Sequence, residues 1–401
     1  MSEPLLPSPP VPSSPLRLVV VGGGHASLPL LADAGRWVRA GVDVTLVSDA
    51  PDLWYSGMTP EWLGGVYTRD DVTVELGAIC AREGVRFEQS TATHLDLGER
   101  RVQTLTGEAI RFDALVLDVG AANPGTAIAP ATVRTKPLHR IEALGSALDD
   151  GVERLAIVGG GAAGVECALN VTARRDAPRV VLLEPADALV AGLPSRVGRW
   201  AHGALRSRGA VVRLGARVER AGADGVELAS GERVRADAVL WATGSVGPPW
   251  LAGSGLPVDA RGFVRVRSTL QAQGHDDVFV AGDAAVVDGH EDLARIGVHA
   301  VKQGATLRTN VGRWLDTRRG AAPRPLAPFR PYPVAPLILS TGTPAAWITA
   351  GPVALRTRAA LGLKHAVDRR WIRRYRRRPL STPGLWDLAH AGDATPATAD
   401  R

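Results

Sequence analysis

The chain repeats one pattern that is found at nucleotide-binding turns: an apolar run, three consecutive glycines, and a stretch compatible with a helix. The two copies are RLVVVGGGHASLPLL at Arg17–Leu31 and RLAIVGGGAAGVECAL at Arg154–Leu169. Each is followed by a second apolar run, at Val42–Ser48 and at Arg179–Glu184. Because strands that alternate with helices form parallel sheets, the pattern predicts an α/β fold with two Rossmann-like domains.

Hairpin-like segments follow the second apolar run of each repeat, at His94–Asp113 and Val226–Asp237. They predict a three-stranded flap on each sheet, and hence a three-layer ββα arrangement. A later apolar run, VFVAGDAA at Val278–Ala285, is expected to return and complete the first sheet. The second domain is therefore predicted to be inserted into the first.

These expectations give the following domain boundaries. Residues 16–125 and 255–325 form the first dinucleotide domain, 126–254 the second, and 326–378 a small C-terminal domain with a basic amphipathic helix. Residues 1–15 and 379–401 are expected to be disordered tails, because they are rich in Pro and in small or polar residues.

The first glycine turn has the chemistry of a pyrophosphate site. Gly22 allows the sharp turn from strand to helix, and Gly24 lets the backbone approach phosphate oxygens. Two positions depart from the usual pattern: Ser27 stands at the third glycine, and Ser48, followed by Asp49, stands where the second strand would end in an acid. The sequence therefore does not identify the residue that contacts the ribose of this first dinucleotide.

The second turn matches the pattern fully, with Gly159, Gly161 and Gly164, and Glu184 ends the next strand. A carboxylate there accepts hydrogen bonds from an adenosine ribose and repels a 2′-phosphate. The sequence thus predicts NADH rather than NADPH, although NADPH is kept as an alternative. A third element, Gly282-Asp283, follows a strand and suits a ribityl hydroxyl of a flavin, although an Asp in that position is also a common helix N-cap.

Composition excludes several other classes of protein. The only two cysteines, Cys80 and Cys167, lie far apart in sequence, so neither a disulfide framework nor a redox-active dithiol is expected. This cysteine usage favours a reducing, cytoplasmic location. The histidines show no metal-ligand spacing, so no metal site is predicted. The net charge is +6, yet Lys364–Arg378 alone carries +7; the excess of positive charge is local, and nucleic-acid binding is not expected.

That basic segment has two interpretations. Within Leu361–Arg378, Leu363, Val367, Trp371 and Tyr375 recur every four residues, with arginines around them. Such a helix lies on an anionic membrane surface, or it packs on its own domain with a solvated basic face. Peripheral membrane contact is therefore one of the two interpretations of this segment.

These motifs, together with WATG at Trp241–Gly244 and AGD at Ala281–Asp283, resemble the pyridine nucleotide-disulfide oxidoreductase superfamily. The narrower resemblance is to its type II NADH dehydrogenase branch and to the flavoprotein domain that precedes some selenide water dikinases. It is carried by Tyr55-Ser56-Gly57-Met58, by the stretch Ala300–Gly304 and by the cluster Lys364–Arg370.

The resemblance implies FAD at the first turn, NADH at the second, and the Tyr55–Met58 loop beside the flavin ring. It also directs the N-terminus of a helix starting near Val298 toward the flavin. The FAD candidates are Gly22, Gly24, His25, Ala26, Ser27, Ser48, Tyr55, Ser56, Gly57, Met58, Gly120, Gly282, Asp283, Lys302 and Gln303. The NAD candidates are Gly159, Gly161, Ala163, Gly164, Glu184, Thr243 and Gly244.

The cofactors supply the hydride chemistry, so no catalytic side chain is required; Tyr55, Lys136 and Gln303 are the candidates nearest to the flavin. The leading hypothesis is an FAD-dependent NADH dehydrogenase that reduces a quinone or another small acceptor. The alternatives are a reductase linked to selenium metabolism and a flavin-bound redox sensor with little turnover. A homodimer is a further arrangement that this superfamily adopts.

Overall fold

A computed structural model of the protein describes residues 15–124 and 132–376. Contacts divide them into two compact units. Unit 1 comprises residues 15–53, 75–122 and 246–333, and unit 2 comprises 54–74, 123–124, 132–245 and 334–376. Each unit contains one glycine turn. The tails expected at residues 1–15 and 379–401 lie outside the described residues, apart from residue 15, and the domain boundaries set from sequence remain predictions.

The helices are α1 Leu28–Leu31, α2 Gly35–Val38, α3 Thr59–Leu63, α4 Arg69–Val72, α5 Leu76–Glu83, α6 Glu142–Asp149, α7 Ala162–Val171, α8 Ser195–Ser207, α9 Pro249–Ala252, α10 Gly297–Arg318 and α11 Arg358–Arg373. The strands are β1 Leu16–Val21, β2 Val42–Ser48, β3 Asp52–Trp54, β4 Thr73–Glu75, β5 Arg86–Gln89, β6 Ala92–Asp96, β7 Arg101–Thr104, β8 Ala109–Arg111, β9 Ala114–Leu117, β10 Val133–Arg134, β11 Arg154–Val158, β12 Arg179–Glu184, β13 Val211–Leu214, β14 Val218–Gly222, β15 Gly225–Leu228, β16 Arg233–Arg235, β17 Ala238–Trp241, β18 Val264–Val266, β19 Val278–Val280, β20 Ala285–Val287, β21 Leu337–Ser340, β22 Ala346–Ala350 and β23 Val353–Thr357.

Unit 1 is built on a parallel sheet with the strand order β19-β9-β1-β2-β5. Its central strands are almost entirely apolar and buried, as expected for a parallel sheet covered on both faces. β19 pairs with β9, which confirms the predicted return of the Val278–Ala285 segment to the first sheet.

Unit 2 repeats the same plan, with the strand order β10-β17-β11-β12-β13, again all parallel. β11 stands in the centre, as β1 does in unit 1, and in both sheets the glycine turn directly follows this central strand. The two predicted Rossmann-like folds are therefore confirmed.

Both predicted flaps are present as three-stranded antiparallel sheets, β6-β7-β8 in unit 1 and β14-β15-β16 in unit 2. In unit 2, Ala221, Val226 and Leu228 of the flap share a buried cluster with Val158 and Trp241 of the parallel sheet. This packing makes the flap the third layer of the ββα arrangement.

The C-terminal part of unit 2 is an antiparallel sheet, β21-β22-β23, with α11 packed on it through Ala346, Ala360 and Leu361. α11 covers part of the predicted amphipathic segment, of which residues 377 and 378 lie outside the described range. The structure divides the apolar stripe expected there: Leu363 and Val367 are exposed, whereas Trp371 and Tyr375 are buried.

Candidate functional sites in the two units

The first glycine turn, in unit 1, requires glycine for steric reasons. Gly22 has a φ of 91°, and a Cβ there would overlap the carbonyl oxygen of Asp118, which directly follows β9. A Cβ on Gly24 would lie 2.5 Å from the carboxylate of Asp118. The backbone of this turn is therefore held close to the end of β9, and only glycine fits at either position.

Ser27 stabilises this turn through hydrogen bonds to its backbone. Its side chain is fully buried, and its hydroxyl donates to the carbonyl oxygens of Gly22 at 3.0 Å and Gly24 at 3.1 Å. Its backbone N–H donates to Asp118 Oδ2 at 2.7 Å. A serine at the third glycine position thus fits because it replaces close packing with hydrogen bonds to the turn.

Asp118 is a buried carboxyl group that sequence reasoning missed. Burial raises its pKa to about 7, the Ser27 N–H opposes this rise, and the neighbouring carboxylate of Asp283 adds to it. The signal was present in the sequence: Asp118 is a charged residue directly after the apolar run ALVL, inside a motif whose second copy has alanine there.

The Gly282-Asp283 turn lies at the end of β19 in the same unit. Gly282 has a φ of 68°, and its N–H donates to Gln303 Oε1 at 2.6 Å. Gln303 is buried on α10 and so fixes the turn that carries Asp283. Lys302, the neighbouring FAD candidate, places its Nζ 3.7 Å from the ring centre of Tyr332.

The remaining FAD candidates of unit 1 lie close to these two turns in sequence. Ala26 is buried, Ser48 is buried at the end of β2, and Gly120 has a φ of 68° in the segment after β9. Burial lowers the pKa of His25 to about 4, although Asp283 opposes this, so His25 is neutral at physiological pH. Unit 1 also has a pocket lined by Gly282, Asp283, Arg295, His299 and Gln303. Within the described part of the chain, His299 Nδ1 is buried without a hydrogen-bond partner, as expected of an atom that a ligand contacts.

The second glycine turn, in unit 2, is crowded at its first and third glycines but open at its second. Gly159 has a φ of 112°, and a Cβ on Gly164 would overlap the Gly159 carbonyl oxygen, so α7 packs directly against the turn. Around Gly161, by contrast, a Cβ would meet nothing within 4 Å, and Ala163 lies in the first turn of α7. Space at the second glycine and close packing at the third are what a dinucleotide turn requires.

Glu184 ends β12 beside this turn. Its carboxylate accepts hydrogen bonds from the N–H of Gly160 at 2.5 Å and of Ala186 at 2.9 Å. These two bonds fix the carboxylate at the edge of the turn, where an adenosine ribose is bound in dinucleotide folds.

Thr243 and Gly244 follow β17 on the other side of the turn. Thr243 Oγ1 is buried and has no hydrogen-bond partner among the residues that the structure describes. Asn123 holds this loop by donating to the Thr243 carbonyl oxygen at 3.0 Å, and it accepts the backbone N–H of Lys136 at 2.9 Å. Lys136 Nζ donates to Ser245 Oγ at 2.7 Å, so this lysine contacts the loop that carries Thr243.

The Tyr55–Met58 loop belongs to unit 2, where it contacts α11. The Tyr55 hydroxyl donates to Asp368 Oδ1 at 2.9 Å, and its ring stacks on Trp371 with 4.4 Å between centres. Burial, with Asp368 adding to it, raises the pKa of Tyr55 far above its usual range, so the phenol stays protonated. Met58 is fully buried, and the Nζ of Lys364 donates a hydrogen bond to the carbonyl oxygen of Gly57.

Lys364 is the centre of a buried charged cluster. Its Nζ lies 3.0 Å from Glu61 Oε2 and 2.9 Å from Asp368 Oδ2, and His365 Nε2 lies 2.6 Å from Glu61 Oε1. Burial acts to raise the pKa of Glu61, but Lys364 and His365 outweigh it and lower that pKa. The structure thus brings together two sequence motifs, the Tyr55 loop and the Lys364–Arg370 cluster, whose contact the sequence did not predict.

Two parallel sheets, each with a glycine turn after its central strand, define a two-dinucleotide oxidoreductase. A family model described as pyridine nucleotide-disulphide oxidoreductase matches residues 16–304, and the chain belongs to that family. It is an FAD- and NADH-dependent oxidoreductase.

Among relatives, the chain is 25% identical to the demethylphylloquinone reductase of Synechocystis sp. over 369 residues, covering 85% of this chain and 90% of that protein. It is 24% identical to the type II NADH:quinone oxidoreductase Ndh of Mycobacterium tuberculosis, covering 78% and 75%. The ferredoxin reductase for the CYP199A2 system of Rhodopseudomonas palustris shares the fold, with a TM-score of 0.66 at 18% identity, covering 92% of this chain and 96% of that one.

Proposed function

We propose that this protein oxidises NADH and reduces a membrane quinone. FAD, when bound, accepts the hydride of the nicotinamide and releases the electrons to the acceptor. Gly22, Gly24 and Asp283 in unit 1 would hold FAD, and Gly161 and Glu184 in unit 2 would hold NADH. In unit 1 the fit is supported by the positive φ of Gly22 and by the unpartnered His299 Nδ1 of the pocket beside Asp283. In unit 2 it is supported by the space around Gly161 and by the unpartnered hydroxyl of Thr243.

The preference for NADH rests on Glu184. A 2′-phosphate placed at this carboxylate would meet a like charge that is fixed by the N–H groups of Gly160 and Ala186. NADH brings hydroxyl groups instead, which donate to the carboxylate.

Electrons pass directly from flavin to acceptor in this proposal, because the chain has only two cysteines and both are buried single thiols. Burial raises the pKa of Cys80 to about 11 and that of Cys167 further, so neither is a thiolate at neutral pH. A cysteine relay of the disulfide-reductase kind therefore has no support in this chain.

A quinone acceptor is supported by the names of two relatives, a demethylphylloquinone reductase and a type II NADH:quinone oxidoreductase. A surface of unit 2 adds to this support. Leu363 and Val367 of α11 are exposed by 50% and 54%, and Val353 and Leu355 of the edge strand β23 by 54% and 57%. We call these four residues, with the exposed Arg358, Arg370, Arg373 and Arg374, the basic apolar surface.

Such a surface suits an anionic bilayer, because the apolar side chains enter the interface while the arginines meet lipid phosphates. Within residues 15–124 and 132–376, no helix has the length and hydrophobicity that a membrane crossing needs. The membrane contact that we propose is peripheral.

The first experiment measures NADH oxidation by the purified holoprotein with a short-chain quinone, with an oxidised ferredoxin and with no acceptor. Rapid turnover with the quinone alone is expected. A faster reaction with ferredoxin would reject the quinone, and slow oxidation with every acceptor would favour a redox sensor.

A second experiment measures flotation with anionic vesicles. Replacing Leu363 and Val367 by Ser should weaken vesicle binding by about tenfold or more, because two apolar side chains leave the interface. The control replaces Leu105 and Val211, which are exposed by 74% and 55% and do not belong to the basic apolar surface, by Ser, and should bind as the wild type does. Equal binding by all three proteins would reject the role of the basic apolar surface, and binding by none would reject the membrane contact.

A further inference from the structure

The two glycine turns differ at one buried position. In unit 1 a Cβ on Gly22 would overlap the carbonyl oxygen of Asp118, and in unit 2 a Cβ on Gly159 would overlap that of Ala242. Asp118 and Ala242 are therefore equivalent residues of the repeat, each directly after the strand next to the central one. Unit 1 carries a carboxyl group where unit 2 carries a methyl group.

The carboxyl group of Asp118 lies inside the first turn. It accepts the N–H of Ser27, and a Cβ on Gly24 would lie 2.5 Å from it. On its other side, a Cβ on Gly282 would overlap Asp118 Oδ1. Asp118 is only 5% exposed. Its carboxyl group lies between the first glycine turn and the Gly282 turn, the two turns of unit 1 that we assign to FAD.

The charged groups on the neighbouring elements do not neutralise an ionised Asp118. The Gly282 turn contributes the carboxylate of Asp283, which repels it. The first turn contributes His25, which is neutral above about pH 4 because burial lowers its pKa. Arg295, the next cation, donates to the Asp283 carbonyl oxygen at 3.3 Å, and no ion pair to Asp118 is present among the described residues. The bound pyrophosphate would add further negative charge beside this uncompensated group.

We propose that Asp118 makes FAD binding proton-linked: the carboxyl group is protonated in the FAD complex, and its ionised form weakens the binding of FAD. This inference rests on the proposed placement of FAD at the first turn. Asp118 acts as an affinity-setting residue and takes no part in hydride transfer. The pKa of about 7 that burial imposes on it puts the transition in the physiological range.

The test titrates FAD into the apo full-length protein, with quenching of flavin fluorescence as the readout, between about pH 6 and about pH 9. A linked proton makes the Kd of the wild type rise with pH above about 7, approaching tenfold per pH unit. Asp118→Asn keeps an acceptor for the Ser27 N–H without the charge, and Asp118→Ala reproduces the second turn. Both variants should bind FAD with a Kd that is independent of pH and close to that of the wild type at pH 6.

Ser27→Ala is the matched control, since it keeps both Asp118 and the backbone N–H. The hydroxyl that it removes opposes the rise in the pKa of Asp118, so its Kd should keep the pH dependence, beginning at the same or a higher pH. Calorimetry in two buffers of different ionisation enthalpy should also show proton uptake on FAD binding at about pH 8, by the wild type but not by Asp118→Asn. A Kd that is constant with pH in the wild type, or one that varies equally in Asp118→Asn, would overturn the role of Asp118. If neither protein binds FAD at pH 6 while both still bind NADH, the placement of FAD itself is wrong, and the inference falls with it.

Discussion

The two glycine turns follow the same central strand of a parallel sheet, yet they differ in how the third position of the motif is packed. In the second turn α7 lies against Gly159, so that Gly164 has no room for a side chain, and α7 runs without a break from Ala162 to Val171. In the first turn Ser27 fits, and the helical stretch after it is interrupted between α1 and α2. The repeat therefore preserves the turn itself but allows either steric packing or buried hydrogen bonds to support it.

The largest effect is expected when the serine of the first turn is introduced at the third glycine of the second turn. In Gly164→Ser the new Cβ would overlap the Gly159 carbonyl oxygen, which is backbone and cannot yield. We expect NADH affinity to fall by about 100-fold or more, on the scale of about 3 kcal/mol for strong overpacking. Stopped-flow reduction by NADH measures this, and a retained visible flavin spectrum shows that unit 1 is intact. Wild-type NADH affinity in this variant would refute the steric account of the second turn.

The next effect concerns the stability of the FAD-free protein. Because the folded-state pKa of Asp118 is raised to about 7 from an ordinary value of 3.8, the folded protein holds a proton that the unfolded chain releases. Asp118 therefore destabilises the fold increasingly as pH rises from about 4 to about 7, and by a constant amount above that.

Asp118→Asn removes this term, so its free energy of unfolding should exceed that of the wild type by about 2–4 kcal/mol at pH 8, with the difference vanishing toward pH 4. Urea unfolding of the two apo proteins at several pH values measures the difference. A gap that does not change with pH would show that Asp118 is not titrating in this range.

A smaller effect is expected on the preference of the second turn for NADH over NADPH. Glu184→Gln keeps an acceptor for the N–H of Gly160 but removes the charge that repels a 2′-phosphate. The ratio of kcat/KM for NADPH over NADH should rise by about tenfold, which corresponds to about 1.4 kcal/mol. Steady-state kinetics with both coenzymes measures the ratio, and Glu227→Gln, on the flap strand β15, serves as the control that should leave it unchanged.

The smallest effect is expected at Ser27. Ser27→Ala removes the hydroxyl, whose single proton is shared between the carbonyl oxygens of Gly22 and Gly24, but leaves the N–H bond to Asp118. The free energy of unfolding of the apo protein should fall by about 1 kcal/mol. Thermal unfolding measures this, and a loss of more than about 4 kcal/mol would mean that the hydroxyl has a further role in the turn.

The sequence predicted the fold well because it carries the pattern twice. Apolar strands such as β1 and β11 and the glycines of both turns leave few alternatives, and the return of Val278–Ala285 followed from one more buried strand. Periodicity was less informative for α11, where Lys364, His365 and Asp368 are buried. Their partners, Glu61 and Tyr55, are about 300 residues away in sequence, and spacing within a helix does not reveal such contacts.

Asp118 is the instructive case, because its position could be read from the alignment of the two repeats but its surroundings could not. Only the structure shows that it meets Ser27 and lies between Gly24 and Gly282. Ser27, which departs from the usual pattern, and Asp118, which stands where the second repeat has alanine, prove to be partners. A departure from a motif is thus best interpreted together with the residue that packs against it.

The most direct test of the central claim is an anaerobic titration of the purified protein with NADH, followed through the visible absorption of the flavin. We predict a yellow protein, or one that turns yellow when FAD is added, whose flavin absorption is bleached by one equivalent of NADH. A protein that stays colourless with FAD, or whose bound flavin is reduced by neither NADH nor NADPH, would contradict the account of two dinucleotide sites that work together.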